Sequence, residues 1–295
     1  MTKHMRKRMK QALICAAVSV CLAATVQTAV AAPYKLGSVP TRQKEAYAVV
    51  PMKGEGTYSG IEARLIDGTT YVPLRAFCEA MGWAEISYRA SDKTAVVRAN
   101  DLTLEISDGA HCMVANGRYI YHTHPAVILD DDRLYVPVRM LEKAYGVTVV
   151  WDGQTRSVTV LGKASPILHG DLYYNADDVY WLSKIISAEA RGESLLGQIA
   201  VGNVVLNRVR SSAYPNSIYG VIFDRKYGVQ FSPVLNGSIY LPAAESSIIA
   251  AKICLDGFTV SERALFFYEP NLAESHWIAN NREYLFTIGH HRFYA

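Results

Sequence analysis

Long apolar runs are almost absent from this 295-residue sequence. One run covers residues 12–24, and no second run is long enough to cross a bilayer, so an internal membrane span is not expected. Beyond the first ten residues the sequence has no strong basic cluster of the kind that marks nucleic-acid binding. Neither an integral membrane protein nor a nucleic-acid binder is therefore expected.

Cysteine is scarce, with five residues in the whole chain. Three of them, Cys78, Cys112 and Cys254, follow the N-terminal apolar run, and they are odd in number and widely spaced. This spacing excludes a disulfide framework. It favours small buried thiols, although one pair is free to oxidise if the protein is exported.

Metal-ligand motifs are also missing. His122 and His124 have the spacing that places two side chains on one face of a strand, but no third ligand follows nearby. His276, His290 and His291 lack the defined His, Asp or Cys set of a zinc site. We therefore expect no metal and no other cofactor.

The first 31 residues have the three parts of a secretory signal peptide. A basic head precedes the apolar run, and Ala29-Val30-Ala31 offers small residues for cleavage after Ala31. The alternatives are an uncleaved anchor helix and, through Cys21, a lipoprotein. Removing the five basic residues of the head changes the net charge from +3 to −2. The expected location is therefore outside the cell.

A polar lead-in at 32–60 is followed by an internal repeat over 61–163. Residues 70–75, Thr-Tyr-Val-Pro-Leu-Arg, return as Leu-Tyr-Val-Pro-Val-Arg at 134–139. Each block precedes a short helical pattern and then two strand-like segments separated by turn residues. The repeat unit is therefore predicted to be strand, proline-started helix and β-hairpin.

This repeat resembles the copper amine oxidase N-terminal-like domain. The resemblance implies a module found in secreted bacterial proteins, without the copper or quinone site of the oxidases. The sequence also lacks the Asn-Tyr-Asp/Glu motif from which such a quinone forms. We expect the module to act as a spacer or wall-binding stalk.

After a predicted linker at 164–176, the composition shifts to helix formers. Asn175 is followed by two acidic residues, which predicts a helix start, and Gly192 predicts its end. Ser194 is suited to cap a second helix that runs to about Arg210, and a third helix is predicted over residues 243–255. The expected fold class is α+β: a small domain of two strand-helix-hairpin repeats followed by a mainly helical domain at 177–295.

Glu189 lies near the end of the first of these helices, one turn after Ile185 and Ile186. Burial against aliphatic side chains raises the pKa of a carboxyl, as a general acid at neutral pH requires. The alternative is a solvated carboxylate paired with Arg191 or Lys184. The residue pattern alone does not decide between these two.

Ordered blocks around Glu189 resemble the cell-wall hydrolase family of spore cortex-lytic enzymes. The matching segments are residues 187–193, 197–209, 214–218, 220–223 and 230–231. The resemblance implies a lysozyme-like domain with a groove for peptidoglycan glycan strands and Glu189 as the catalytic acid. It also implies lytic transglycosylation, in which the muramic 6-hydroxyl replaces water as the nucleophile. Together with the signal peptide, the resemblance implies a secreted protein at the cell wall or spore envelope.

Seven further residues are candidates for substrate binding, each with a structural alternative. Glu193 shares a face with Glu189 only if the helix continues past Gly192, and otherwise its charge favours the next helix. The amides either hold N-acetyl groups or join helices, and the aromatic rings either stack on sugars or fill the core. The candidates are Glu193, Asn203, Asn207, Gln230, Phe231, Tyr268 and Trp277. Tyr240 is a further candidate for stacking on sugars. Protein partners are not predicted.

Overall fold

The computed structural model describes residues 45–50, 62–82, 85–99, 101–152, 157–165, 167–226, 228–273 and 276–295. The predicted signal peptide lies outside the described residues, as does the predicted lead-in except for residues 45–50. Within the described part of the chain, no helix is both long and apolar enough to cross a membrane.

The N-terminal half is built mainly from strands. Their bounds are β1 Glu45–Val50, β2 Glu62–Ile66, β3 Thr69–Pro73, β4 Glu85–Arg89, β5 Thr94–Ala99, β6 Leu102–Ser107, β7 Cys112–Ala115, β8 Arg118–Tyr121, β9 Val127–Ile128, β10 Leu134–Pro137, β11 Thr148–Asp152 and β12 Ser157–Leu161. The short helices α1 (Leu74–Ala80) and α2 (Val138–Tyr145) follow β3 and β10. One sheet has the order β11-β12-β1-β2-β3-β10-β9, and a second has the order β4-β5-β6-β7-β8.

The two predicted repeats are confirmed as β3-α1-β4-β5 and β10-α2-β11-β12. Pro73 and Pro137 stand at the N-caps of their helices, where a missing N–H costs little. The repeats meet at their first strands, which pair antiparallel with Val72 opposite Val136. Their hairpins join different sheets, so the repeat is local and does not extend to the tertiary arrangement.

Two expectations for this half were wrong. Residues 45–50 of the predicted lead-in form β1, because β2 and β12 supply hydrogen-bonding partners that local sequence does not reveal. His122 and His124 follow β8 rather than lying within a strand. His124 donates its backbone N–H to Nδ1 of His122 at 3.0 Å. Across the described residues, no group of three or more His, Cys, Asp or Glu side chains is arranged to hold a metal ion.

The C-terminal half is mainly helical, as predicted. Its helices are α3 Gly170–Tyr173, α4 Ala176–Ala190, α5 Leu195–Arg210, α6 Ile218–Ile222, α7 Ser232–Asn236, a 3₁₀ turn Ser238–Tyr240, α8 Glu245–Leu255 and α9 Trp277–Asn281. A small antiparallel sheet closes the chain in the order β13-β15-β14, with bounds β13 Phe266–Tyr268, β14 Tyr284–Ile288 and β15 His291–Tyr294. Together with the strand-rich half, this confirms the α+β class.

Helix capping follows the sequence closely. The Asn175 side chain accepts hydrogen bonds from the backbone N–H groups of Asp177 and Asp178 at the start of α4. Ser194 caps α5 by accepting from the N–H of Gly197 at 3.2 Å. The predicted boundaries of α4 and α5 therefore agree with the structure to within a few residues.

Helices α4, α5 and α8 form the core of this half. Leu182, Ile185 and Ile186 of α4 are fully buried against Ile199 and other aliphatic residues. Gly202 permits the close approach of all three helices. A Cβ there would lie 2.7 Å from Sγ of Cys254 on α8 and 2.8 Å from Cδ1 of Ile186 on α4. Cys78, Cys112 and Cys254 are all free thiols.

Described residues of the predicted linker contact both halves of the chain. Asp256, just after α8, has a side chain only 1% exposed. Arg118 of β8 donates to its Oδ1 from Nε at 3.1 Å and from Nη2 at 2.6 Å, and Lys143 of α2 lies 3.1 Å from the same oxygen. Tyr174, in the predicted linker, donates its hydroxyl to Oδ2. Asp256 therefore joins β8, α2 and the linker to the helical half.

Candidate active site

A cavity of about 940 Å³ opens in the helical half. Its walls come from the end of α4, from α5, from residues 224 and 229–232, from β13 with residues 269 and 272–273, and from the start of α9. This volume lies in the range that holds small-molecule and oligomeric ligands. The cavity contains both carboxyl and aromatic side chains, which makes it the candidate active site.

Glu189 occupies the last turn of α4 and lines this cavity. Its side chain is half-buried, and burial raises the pKa of Glu189 to about 7, although the positive charge of Arg208 acts in the opposite direction. The two cations proposed as its alternative partners are engaged elsewhere. Arg191 donates to the carbonyl and hydroxyl of Ser187, and Lys184 donates to the carbonyl of Leu241 at 2.7 Å. The carboxyl is therefore a desolvated group on a cavity wall.

Arg208 on α5 is a cavity residue that sequence reasoning missed. It is 5% exposed, and its Nε donates to the carbonyl of Leu265 at 2.8 Å. The guanidinium carbon lies 5.1 Å from the ring centroids of both Tyr214 and Phe231. Its Nη1 is buried and has no hydrogen-bond partner among the described residues. A buried, unpaired donor of this kind is suited to a ligand oxygen.

The sequence contains only weak evidence that Arg208 belongs to the site. A basic residue inside a helix that is otherwise buried has to find a partner, and the sequence does not show which one. In the structure, burial lowers the pKa of Arg208 from its usual range, while Tyr214, Asp224 and Glu189 act against that change. The charge is therefore held in place by rings and carboxyls that come from distant parts of the chain.

Four of the predicted binding residues line the same cavity: Gln230, Phe231, Tyr268 and Trp277. Phe231 is 3% exposed and forms part of the wall, whereas Trp277 is 52% exposed. Gln230 donates its side-chain amide to the carbonyl of Gly228 at 3.0 Å, which fixes its position. The structure therefore brings these four residues together with Glu189.

Glu193 does not line the cavity. Helix α4 ends at Ala190, so the shared helical face with Glu189 does not form. Glu193 instead meets the turn between β14 and β15, with Oε1 at 2.7 Å from Nδ1 of His290 and Oε2 accepting from the backbone N–H of His290 at 3.3 Å. Burial opposes ionisation, but the hydrogen bonds from His290 outweigh it and lower the pKa of Glu193. The observed contacts of Glu193 hold this hairpin against the start of α5.

Asn203 and Asn207 are also outside the cavity, and both are buried. Asn203 donates to the carbonyl of Phe258 at 3.0 Å and accepts from the N–H of Val260 at 2.7 Å. Asn207 donates to the carbonyls of Ser261 and Ala264, each at 2.8 Å. These two amides bind the segment that leads into β13, so the structure places them in a supporting role for the wall that carries Tyr268.

Two further carboxyls, Asp224 and Glu269, line the cavity and were not predicted as site residues. His291 lines it as well, and burial lowers the pKa of this imidazole despite the nearby charges of Glu193 and Glu269. Asp224 and Glu269 lie in loops, and His291 is the first residue of β15, the central strand of the small sheet, so sequence periodicity gives no signal for their meeting. Their proximity to Glu189 depends on the tertiary fold.

Comparison with known proteins agrees with this division of the chain. The profile of the family described as cell wall hydrolase matches residues 192–294, starting three residues after Glu189. The profile of the copper amine oxidase N-terminal domain matches residues 52–160.

Curated relatives match the helical half. The spore cortex-lytic enzyme of Bacillus subtilis (strain 168) is 37% identical over 120 residues, which cover 41% of this chain and 38% of that protein. The cell wall hydrolase CwlJ of Halalkalibacterium halodurans is 30% identical over 100 residues, covering 32% of this chain and 68% of that protein. The aligned segment spans less than half the length of the spore cortex-lytic enzymes of Bacillus subtilis and Bacillus cereus.

Two solved structures also match. The catalytic domain of the germination-specific lytic transglycosylase SleB from Bacillus anthracis is 35% identical, with a TM-score of 0.38, and the match covers 44% of this chain and all of that one. The catalytic domain of the Bacillus cereus SleB protein is 36% identical, also with a TM-score of 0.38, and the match covers 41% of this chain and 92% of that one.

Proposed function

The chain belongs to the cell wall hydrolase family, and on that premise we propose that it cleaves peptidoglycan glycan strands with Glu189 as the catalytic acid. The observation that carries this proposal is the raised pKa of one carboxyl on a cavity wall. Glu189 lines a cavity of about 940 Å³, and burial raises its pKa to about 7. A substantial fraction of the enzyme therefore carries a protonated Glu189 at neutral pH.

Breaking a glycosidic bond requires a proton on the leaving oxygen. A carboxylic acid placed against that oxygen contributes about 10²–10⁴-fold to the rate. An ordinary exposed glutamate is ionised at pH 7 and has no proton to give. Burial of Glu189 raises its pKa to about 7, so the carboxyl can still carry a proton near neutral pH.

We assign the bond between MurNAc and GlcNAc, and a lytic transglycosylase reaction. Glu189 gives its proton to the glycosidic oxygen as the bond from that oxygen to C1 breaks. The 6-hydroxyl of the same muramic residue then bonds to C1, and the Glu189 carboxylate takes up the hydroxyl proton. The product carries a 1,6-anhydro ring, and Glu189 is protonated again for the next cycle.

A hydrolase acting on the same bond is the second candidate, and Asp224 and Glu269 favour it. Both line the cavity with Glu189. Glycoside hydrolases generally use two carboxyls, one of which activates water or attacks the sugar. In that case water replaces the 6-hydroxyl and the product has a reducing end.

The relatives named spore cortex-lytic enzyme suggest spore cortex or vegetative wall as the substrate. Export through the predicted signal peptide at 1–31 would bring the enzyme there. The N-terminal half would then act as a spacer or wall-binding stalk. A wall-binding protein without activity is a further alternative, and the raised pKa of Glu189 argues against it.

The deciding experiment is a gel containing purified peptidoglycan, loaded with wild type and Glu189→Gln. We expect a cleared band for wild type and none for the variant, because glutamine keeps the shape but has no acidic proton. Equal clearing by both would remove Glu189 from the mechanism. Clearing by neither would support the wall-binding alternative.

Mass analysis of the released fragments separates the two reactions. Anhydro-muramic ends, one water lighter than reducing ends, identify the transglycosylase. Reducing ends identify the hydrolase, and Asp224→Asn and Glu269→Gln then test the second carboxyl. Parallel digests of purified spore cortex and vegetative wall show which substrate is preferred.

A further inference from the structure

A cluster of aromatic rings lies outside the cavity, on the surface formed by α4, α6 and the 3₁₀ turn. We call it the aromatic patch, and it comprises Tyr180, Trp181, Tyr219, Phe223 and Tyr240. Trp181 is at its centre, with its ring centroid 5.0 Å from Tyr180, 5.2 Å from Tyr219 and 6.5 Å from Tyr240. Five neighbouring rings from three elements form one continuous surface.

The outer rings of this patch face solvent. Tyr180 is 48% exposed, Tyr219 53% and Tyr240 63%, and Leu241 beside them is 56% exposed. Contiguous apolar surface of this kind is uncommon unless it binds something. The three exposed rings are all tyrosines, which combine an apolar ring with a hydroxyl and so suit a partner that is itself part apolar and part polar.

A lysine links two elements of the patch. Nζ of Lys184 donates to the backbone carbonyls of Tyr240 at 3.3 Å and Leu241 at 2.7 Å, and it lies 5.1 Å from the ring centroid of Tyr180. This side chain connects the 3₁₀ turn to α4. The backbone that carries Tyr240 is therefore positioned beside Tyr180 and Trp181, and positioning of this kind reduces the entropy cost of binding.

Two elements run from the patch to the cavity. Trp181 and Ala188 share a face of α4 two turns apart, about 10 Å along the helix axis, and Ala188 lines the cavity beside Glu189. Phe223 belongs to the patch, and the next residue, Asp224, lines the cavity. A long ligand that leaves the cavity along α4 would therefore meet the patch.

We propose that the aromatic patch is a second glycan-binding surface, which holds a stretch of the same strand whose bond lies at Glu189. This inference rests on the proposed function. Pyranose rings present apolar C–H faces that stack on the negative faces of aromatic rings, while their hydroxyls remain free to bond the tyrosine hydroxyls. The continuity of the patch with the cavity favours a glycan strand over a lipid surface or a protein partner.

The test is co-sedimentation with insoluble purified peptidoglycan, carried out in the full chain with Glu189→Gln so that the wall is not digested. Adding Tyr219→Ala and Tyr240→Ala should weaken binding by at least about tenfold. The matched pair Tyr219→Phe and Tyr240→Phe keeps the rings and should bind almost as well as the parent. Tyr284→Ala, at a tyrosine of β14 that is 53% exposed and lies in the helical half away from the patch, should leave binding unchanged.

Equal binding by the double alanine variant and the parent would overturn the proposal. An equal loss in the phenylalanine pair would overturn stacking as its cause, and a matching loss in Tyr284→Ala would show that the effect is not specific to the patch. Tyr240→Ala alone serves if the double variant does not fold. Wall digestion by the protein without Glu189→Gln is measured separately. Failure of that digestion counts against the proposed function, whereas ring-independent binding counts against the patch.

Discussion

The guanidinium of Arg208 and the carboxyl of Glu189 line the same cavity, and the positive charge of Arg208 opposes the effect of burial on the Glu189 pKa. Burial prevails, and the pKa stays at about 7. This balance places the proton affinity of the proposed acid close to neutral pH, where a general acid is most effective. It also makes Arg208 a position from which the pH dependence can be changed.

Glu189 should make the protein less stable as the pH rises. Its ordinary pKa is 4.5 and its folded pKa about 7, so the folded state binds the proton more tightly and loses stability between these two values. The loss amounts to at most about 3 kcal/mol. Glu189→Gln has no titrating carboxyl at this position and does not lose this stability. In urea unfolding, the free energy of unfolding of the variant minus that of wild type should therefore be higher at pH 8 than at pH 4. A constant difference between the two proteins would contradict the raised pKa.

Arg208→Met should extend activity to higher pH. Removing the positive charge lets the pKa of Glu189 rise further, so the alkaline limb of the rate profile moves upward. The variant should also lose about 2 kcal/mol of unfolding free energy, because the carbonyl of Leu265 loses its donor. Arg208→Lys keeps the charge and is the control. An alkaline limb unmoved by Arg208→Met would mean that this charge does not act on the catalytic acid.

Asp256→Asn should destabilise the junction between the two halves. The substitution leaves Arg118 buried without its counter-charge, and breaking a buried pair in this way costs about 3 kcal/mol or more. Protease cleavage within the segment 163–175 should become faster at the same time. Glu283→Gln breaks the exposed pair with Arg263 and should cost less than about 1 kcal/mol. Similar losses in the two variants would exclude a special role for Asp256.

Glu193→Gln should loosen the turn between β14 and β15. Hydrogen bonding to Glu193 raises the pKa of His290, so the stability that the charged imidazole contributes to the turn is lost as the pH rises through its folded pKa. The pKa of Glu193 is lowered, so the stability that its carboxylate contributes is lost as the pH falls through its folded pKa. Amide hydrogen exchange of residues 288–291 should therefore differ most between wild type and variant near pH 5–6. His291 and Glu269 also act on this pair, so Glu269→Gln is measured in parallel.

Local features of the fold were predictable from the sequence. The paired Tyr-Val-Pro blocks and the Asn175 and Ser194 caps each act within one element or one contact, and each has a recognisable pattern. The aliphatic neighbours of Glu189 favoured burial but did not exclude a solvated carboxylate, and the resemblance of the surrounding blocks to a family made it the candidate acid. These predictions depend on short-range periodicity and capping.

The remaining features depend on contacts between distant parts of the chain. Strand β1 is defined by partners more than a dozen residues away, and Asp256 meets Arg118 across 138 residues. Arg208 packs against rings at 214, 231 and 266, and Glu193 is fixed by a hairpin near the C-terminus. No local pattern records such pairings, which is why the candidate wall residues Asp224, Glu269 and His291 were missed.

Asp256 and Phe258 lie in a single turn. Arg118 and Lys143 of the strand-rich half contact the carboxylate of Asp256, and Asn203 of α5 donates to the carbonyl of Phe258. The strand-rich half is therefore connected to the helical half by buried polar contacts as well as by the peptide chain. If the strand-rich half binds a surface, these contacts would limit the orientations in which the mouth of the cavity can meet that surface.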